Sequence, residues 1–313
     1  MLSFEECTFH RKLIMKPLLI FFLLFVLGLL GTIVECKDSK KSEFLDIPYG
    51  KDPSQKLDFW KAPGKGRRPV IIKIHGGGWM NGDKRSASKK EIAKYAALGI
   101  SYASINYRHV PRNPLPAPVH DAARAVQFIR TKAKEWNINK NKIGLTGDSA
   151  GACSAIWILL HDDLKNSKSK DPVLRESTRV SCAVAGAGQT SIDPKVIEKW
   201  IGPKVLEHSM IFSSVGAKSK DEMLRKYKSY QKLYKEFSPI NHLDKNDPPL
   251  LLLYGSDNEP DTRGKAIHHF KFGLKLKEAS DKVGHECYLR SGSYKKKQKY
   301  RYDINFFKAM LLK

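Results

Sequence analysis

The chain has 313 residues, enough for one large α/β domain or two small ones. With 41% hydrophobic and 28% charged residues it is excluded from the intrinsically disordered class. The net charge of +24 does not come from the first 36 residues, where three bases (Arg11, Lys12, Lys16) meet three acids (Glu5, Glu6, Glu35), so the remainder is strongly basic; no module of clustered bases and aromatics goes with that charge, which argues against a nucleic-acid partner.

The basic leader is followed by an apolar run over residues 18–34. A charged segment before such a run reads as a signal peptide, with Met15 a tidier start than Met1. The run is near the lower limit of ~20 residues for crossing a bilayer, so an uncleaved membrane anchor is the alternative. Cys36 raises a third option, lipidation, against which Glu35 stands in place of the small residue a lipobox wants. Residues 1–36 are therefore read as leader or tether, 37–42 as a polar linker, and 43–313 as the folded domain. Export places that domain in a secreted or periplasmic setting.

Phe44–Tyr49 and Lys56–Trp60 read as an opening pair of strands. Val70–Ile74 is a short apolar run ending at a glycine cluster. Ser88 and Glu91 form a capping box, and Gly99 closes the helix that they begin. Ile100–Tyr107 is the next strand. Val119, Ala122, Ala123, Val126, Ile129, Ala133 and Trp136 follow the helical period, which predicts a helix from about Ala117 to Trp136. Lys142–Thr146 reads as a strand, Ala150–Leu160 as an apolar helix, and Val180–Ala185 as a strand. Leu250–Tyr254 is apolar throughout, as a strand buried on both faces should be. A helix from about Ala266 to Val283, a strand Glu286–Leu289 and a helix Arg301–Leu312 close the chain. This alternation predicts an α/β fold with a mainly parallel central sheet and helices on both faces. Residues 190–245 break the alternation and read as a small helical cap insertion.

Gly147-Asp148-Ser149-Ala150-Gly151 has the form G-x-S-x-G between a strand and a helix, the context of a nucleophile elbow. The glycines let the chain reverse so that the Ser149 hydroxyl stands clear. His75-Gly76-Gly77-Gly78-Trp79 follows the strand ending at Ile74. Backbone N–H groups aimed at the oxyanion of an ester's tetrahedral intermediate are worth ~3–4 kcal/mol each. The expected donors are Gly77, Gly78 and Ala150, with His75 holding the loop by a hydrogen bond.

These motifs resemble those of the hormone-sensitive-lipase-like esterases and the related carbohydrate esterases (feruloyl and acetylxylan types) of the α/β-hydrolase superfamily. The resemblance rests on HGGGW at 75–79, Asn106-Tyr107-Arg108, Asp121, GDSAG at 147–151, Ser238-Pro239-Ile240 and PPLLLLYG at 248–255. It implies the α/β-hydrolase fold and serine carboxylesterase chemistry through an acyl-enzyme, with no cofactor or metal. It also implies an acid just after the penultimate strand, where Asp257 fits best and Asp261 and Glu259 stand behind it. The family's histidine follows the last strand, yet no histidine occurs after Leu289. Either the base comes from elsewhere, His268 or His269 at the start of the next helix being the candidates, or the protein binds its ligand without turning it over. A small ester or an acylated polysaccharide is the expected substrate. A related peptidase would carry a gating domain for which the chain has no room. Cys153, Cys182 and Cys287 read as small buried hydrophobes rather than disulfide partners. Oligomeric state is left open.

Overall fold

The computed structural model describes residues 42–255, 258–292 and 299–313. The leader, its expected roles as signal, anchor or lipidation site, and Asp257 lie outside the described residues. No helix of the described residues is long and apolar enough to cross a membrane.

Among the described residues eight strands form one sheet. They are β1 (Glu43–Pro48), β2 (Lys56–Trp60), β3 (Arg68–Ile74), β4 (Ser101–Ile105), β5 (Ile138–Asp148), β6 (Cys182–Gly186), β7 (Leu250–Leu253) and β8 (Cys287–Arg290). Their order across the sheet is β1-β2-β4-β3-β5-β6-β7-β8. β2 pairs antiparallel with both β1 and β4, and every pairing from β4 to β8 is parallel. The mainly parallel sheet is the one expected from the alternation, and its architecture is the α/β-hydrolase fold that the motif resemblance implies.

Side chains on β3 alternate between two cores, as a pleated strand buried on both faces requires. Val70, Ile72 and Ile74 join one core, to which α2 (Ala117–Thr131) and α3 (Ala150–Leu160) contribute Ala122, Val126, Cys153 and Trp157. Ile71 joins the other, packed by Tyr95 of α1 (Lys89–Ala96) and by Phe306, Phe307 and Leu311 of α10 (Asp303–Leu311). The capping box begins α1, where the Ser88 side chain accepts from the Glu91 amide. Cys153, Cys182 and Cys287 are free and buried.

Two helices differ from the sequence reading. α2 stops at Thr131 instead of Trp136. Trp136 leaves the helical line to stack on Phe59 at 4.4 Å between ring centres, and Asn137 turns the chain with a φ of 58°. The expected helix over 266–283 is two helices, α8 (Arg263–Ile267) and α9 (Lys271–Val283). The buried Gln189 amide takes the Ile267 carbonyl at 2.7 Å. The chain then crosses 268–270 with tighter three-residue bonds, His269 N–H to Ala266 and Phe272 N–H to His269.

Between β6 and β7 lie α4 (Pro194–Ile201), α5 (Ser209–Ser214), α6 (Lys220–Arg225) and α7 (Tyr227–Phe237). Ser238-Pro239-Ile240 ties the end of this segment down. The Ser238 hydroxyl accepts from the Ile192 amide at 3.0 Å, and the Ile240 amide donates to the Thr190 carbonyl.

Candidate active site

β3 and β5 are neighbours, with Ile74 level with Gly147. The segments leaving their C-terminal ends, 75–79 and 147–151, therefore start side by side, the usual position of sites in parallel sheets. The approach is close enough to require glycine. A Cβ on Gly151 would lie 2.1 Å from the Ile74 carbonyl oxygen, and one on Gly147 would lie 2.6 Å from the Gly151 carbonyl carbon. Ser149 sits at φ 54°, ψ −123°, a conformation rare for a residue with a side chain and expected of a sharp strand-to-helix turn. Its amide donates to the Gly186 carbonyl at 2.8 Å, fixing the turn to β6.

The Ser149 hydroxyl donates to Nε2 of His268 at 2.8 Å. Nδ1 of His268 lies 2.8 Å from the Gly264 carbonyl oxygen. A carbonyl can only accept, so Nδ1 carries the proton and Nε2 presents its lone pair to the hydroxyl. This is the tautomer that a general base needs.

His268 caps the C-terminal end of α8. The sequence places both histidines at a helix start; the break in the helix puts His268 at a helix end instead, where the Gly264 carbonyl sets its tautomer. Of the two histidines only His268 is brought to Ser149. His269 is buried, and its Nδ1 accepts from the Lys271 amide. The reserve acids are not brought to His268 either. Asp261 pairs with Lys265 at 2.7 Å and Glu259 with Lys271 at 3.5 Å, both on the surface.

Gly76 lies beside the nucleophile, since a Cβ there would be 3.5 Å from the Ser149 Cβ. Gly77 and Gly78 follow with φ of 104° and 64°. Buried groups behind the loop hold it. Nδ1 of His75 donates to the Gly76 carbonyl at 2.8 Å, and Tyr107 stacks on the imidazole at 4.3 Å while donating to the His75 carbonyl at 2.9 Å. Burial lowers the His75 pKa to about 4, so this ring is neutral at pH 7. The buried Trp79 indole donates to Ser154 of α3 at 2.9 Å. Arg108 anchors the next segment on the buried Asp121 through its backbone amide and guanidinium.

Two side chains that sequence reasoning missed come from the segment between β6 and β7. A Cβ on Gly78 would meet the Met210 Cβ at 3.4 Å, so Met210 packs over the glycine loop. The His208 ring approaches His268 edge-on at 6.4 Å, with its pKa lowered by burial and then by the nearby His268 and Arg263. Neither residue belongs to a motif. Beyond His268 lies a cavity of about 460 Å³ bordered by Ala187, Asn258, Glu259, Asp261 and Lys265.

The family model described as BD-FAE matches residues 57–261. Among curated proteins, the probable carboxylic ester hydrolase LipM of Mycobacterium tuberculosis is 28% identical over 226 residues, covering 68% of this chain and 47% of its own length. Esterase LipQ of the same organism is 29% identical over 245 residues, covering 75% and 52%. The chain thus spans about half the length of these relatives. Among solved structures, a truncated carbohydrate esterase from gut microbiota superposes with a TM-score of 0.69 at 23% identity, covering 89% of this chain and 99% of that one.

Proposed function

Because this chain belongs to the BD-FAE family of α/β-hydrolases, we propose that it is a serine carboxylic ester hydrolase working through an acyl-enzyme. The observation that carries this reading is the 2.8 Å bond from the Ser149 hydroxyl to a histidine whose tautomer is fixed on its far side.

Ser149 attacks the ester carbonyl while Nε2 of His268 takes its proton. The amides of Gly77, Gly78 and Ala150 receive the developing oxyanion. The imidazolium returns the proton to the departing alcohol. Water, deprotonated by the same nitrogen, then releases the acid. The Gly264 carbonyl orients the imidazole through a dipole, where a carboxylate would add a full charge. Asp257, the acid its sequence position suggests, stays in this proposal only as a charge that would favour the imidazolium, since the Nδ1 proton is taken by the Gly264 carbonyl.

Met210 and His208 make the helical segment between β6 and β7 a cap over the reacting carbonyl. Acylated polysaccharides and small esters are the substrate classes we favour. The support is the carbohydrate esterase among the fold's neighbours and the charge of +24, which suits an anionic polymer. The apolar run over 18–34 supports work outside the cytoplasm, either released or tethered.

Hydrolysis of a short-chain aryl ester by the wild type beside Ser149→Ala is the test. Loss of turnover in the variant by ~10³ or more supports the proposal. Equal rates on aryl and acetylated-sugar esters alike would sink it and leave a binding protein on a hydrolase fold.

A further inference from the structure

At the far end of α3 from Ser149, two imidazoles and a carboxylate converge. One ligand atom from each of His161, Glu236 and His242 lies within 4.8 Å of the others. The three come from separate places in the chain: His161 caps the C-terminus of α3, Glu236 is near the end of α7, and His242 closes the turn after it. The sequence carries no short ligand spacing for this group.

The proton positions are set by backbone carbonyls. Nδ1 of His161 lies 2.8 Å from the Asp162 carbonyl and must donate to it, leaving the lone pair on Nε2. That lone pair faces Oε1 of Glu236 at 3.0 Å. Two acceptors at this distance repel unless a proton or a metal cation lies between them. Nε2 of His242 donates to the Glu236 carbonyl at 2.5 Å, leaving Nδ1 to accept. The same carbonyl accepts from the Trp157 indole at 2.8 Å. Each imidazole thus keeps one donor bond to a carbonyl and one lone pair, the arrangement by which outer partners orient metal-binding histidines. Packing holds the rings: Trp157 stacks on His161 at 4.1 Å, and the His161 and His242 ring centres are 4.6 Å apart. The C-terminal end of α3 adds partial negative charge, which favours a cation.

We propose that His161, Glu236 and His242 bind one divalent transition-metal ion, zinc(II) by the donor set, leaving the fourth position for water. Two imidazole nitrogens and a carboxylate oxygen suit zinc over calcium or magnesium, which take oxygen ligands. Zinc-to-nitrogen bonds of ~2.0–2.1 Å put neighbouring ligands ~3.4 Å apart, so the three groups, each with a ligand atom within 4.8 Å of the others, would close inward on the ion. α3 is 11 residues long, which sets the ion ~17 Å from the nucleophile along the helix. The ion therefore takes no part in ester chemistry. It clamps the end of the helical segment between β6 and β7 onto α3, and binding the folded chain alone would stabilise it.

The full chain, stripped with a chelator, is titrated with zinc(II) by calorimetry and with cobalt(II) by visible absorption. One equivalent, four-coordinate cobalt bands and a rise in Tm of ~5 °C or more near saturation support the site. His161→Ala, His242→Ala and Glu236→Gln should each weaken zinc binding by about tenfold or more, leaving Ser149-dependent hydrolysis unchanged. X-ray absorption on the wild type, which needs no variant to fold, should show imidazole nitrogen and no sulfur around zinc. No uptake at ~100 µM zinc, uptake indifferent to the paired His161→Ala/His242→Ala change, or a sulfur shell would each overturn the proposal. The cluster would then be an imidazolium–carboxylate pair.

Discussion

Ser149 Oγ and His268 Nε2 stand 2.8 Å apart across 119 residues of chain. The imidazole reaches the nucleophile from the break between α8 and α9, although no histidine follows β8 in the sequence. His268→Ala should lower kcat by ~10³ or more, as expected of a group that acts as a unit with the serine. His269→Gln should keep kcat within about tenfold, because the Nδ1 of His269 is committed to the Lys271 amide. Equal losses in the two variants, with unchanged circular dichroism, would remove the assignment of His268 as base.

What the sequence made legible follows from which physical signals are local. Gly147, Gly151 and the glycines at 76–78 announce a close backbone approach; the helix after Ser149 runs over Ala150–Leu160 as expected, while the strand before it extends past the expected Lys142–Thr146 to Ile138–Asp148. The base was narrowed to two adjacent histidines and no further. Choosing between them depends on where the helix breaks, and the break depends on the Gln189 amide reaching the Ile267 carbonyl from 78 residues away. The Gly264 carbonyl that sets the tautomer has no sequence signature, since every residue carries that acceptor. Met210 and His208 were illegible for a similar reason: helical composition between β6 and β7 says nothing of which side chains turn toward the glycine loop.

Gly78 separates an electrostatic role from a structural one. Alanine at its φ of 64° costs ~1–2 kcal/mol of backbone strain and presses on Met80 at 3.1 Å, which a flexible side chain can relieve. Gly78→Ala should therefore fold, while displacement of its amide lowers kcat by ~10²–10³ with KM little changed. A normal kcat in a folded variant would take Gly78 out of the oxyanion hole. Gly151→Ala is the contrast: its Cβ would lie 2.1 Å from one backbone oxygen and 2.5 Å from another, so insoluble or unfolded protein is expected.

The motif pair Arg108 and Asp121 is predicted to matter through stability. The buried Asp121 carboxylate accepts from the Gln55 amide at 2.7 Å, the Arg108 backbone at 3.0 Å and the guanidinium at 2.8 and 2.6 Å. Arg108→Ala leaves a buried carboxylate without its counter-charge. A loss of about 3 kcal/mol is expected, a fall in Tm of ~6–12 °C for a domain this size. Differential scanning calorimetry decides it, and a fall under ~2 °C would mean that the half-buried arginine is replaced by solvent.

His75 should make the fold acid-sensitive below neutrality. Its folded pKa is about 4 because burial disfavours the imidazolium, against ~6.5 in an unfolded chain. Between those values the unfolded state binds the proton and the folded state does not. The contribution of His75 is therefore complete above pH ~6.5 and is lost as the pH falls toward 4, on the order of 3 kcal/mol in all. Burial lowers the pKa of His109, His120 and His208 as well, which adds slope of the same sign. His75→Gln isolates the one group. Its urea-unfolding free energy should be lower at pH 7 and fall less steeply, by up to about 1.4 kcal/mol per pH unit between pH 6 and 4.5. Parallel profiles for wild type and variant would show that the His75 ring takes up its proton as readily in the folded chain as in the unfolded one, and the lowered pKa behind the glycine loop would have to be abandoned.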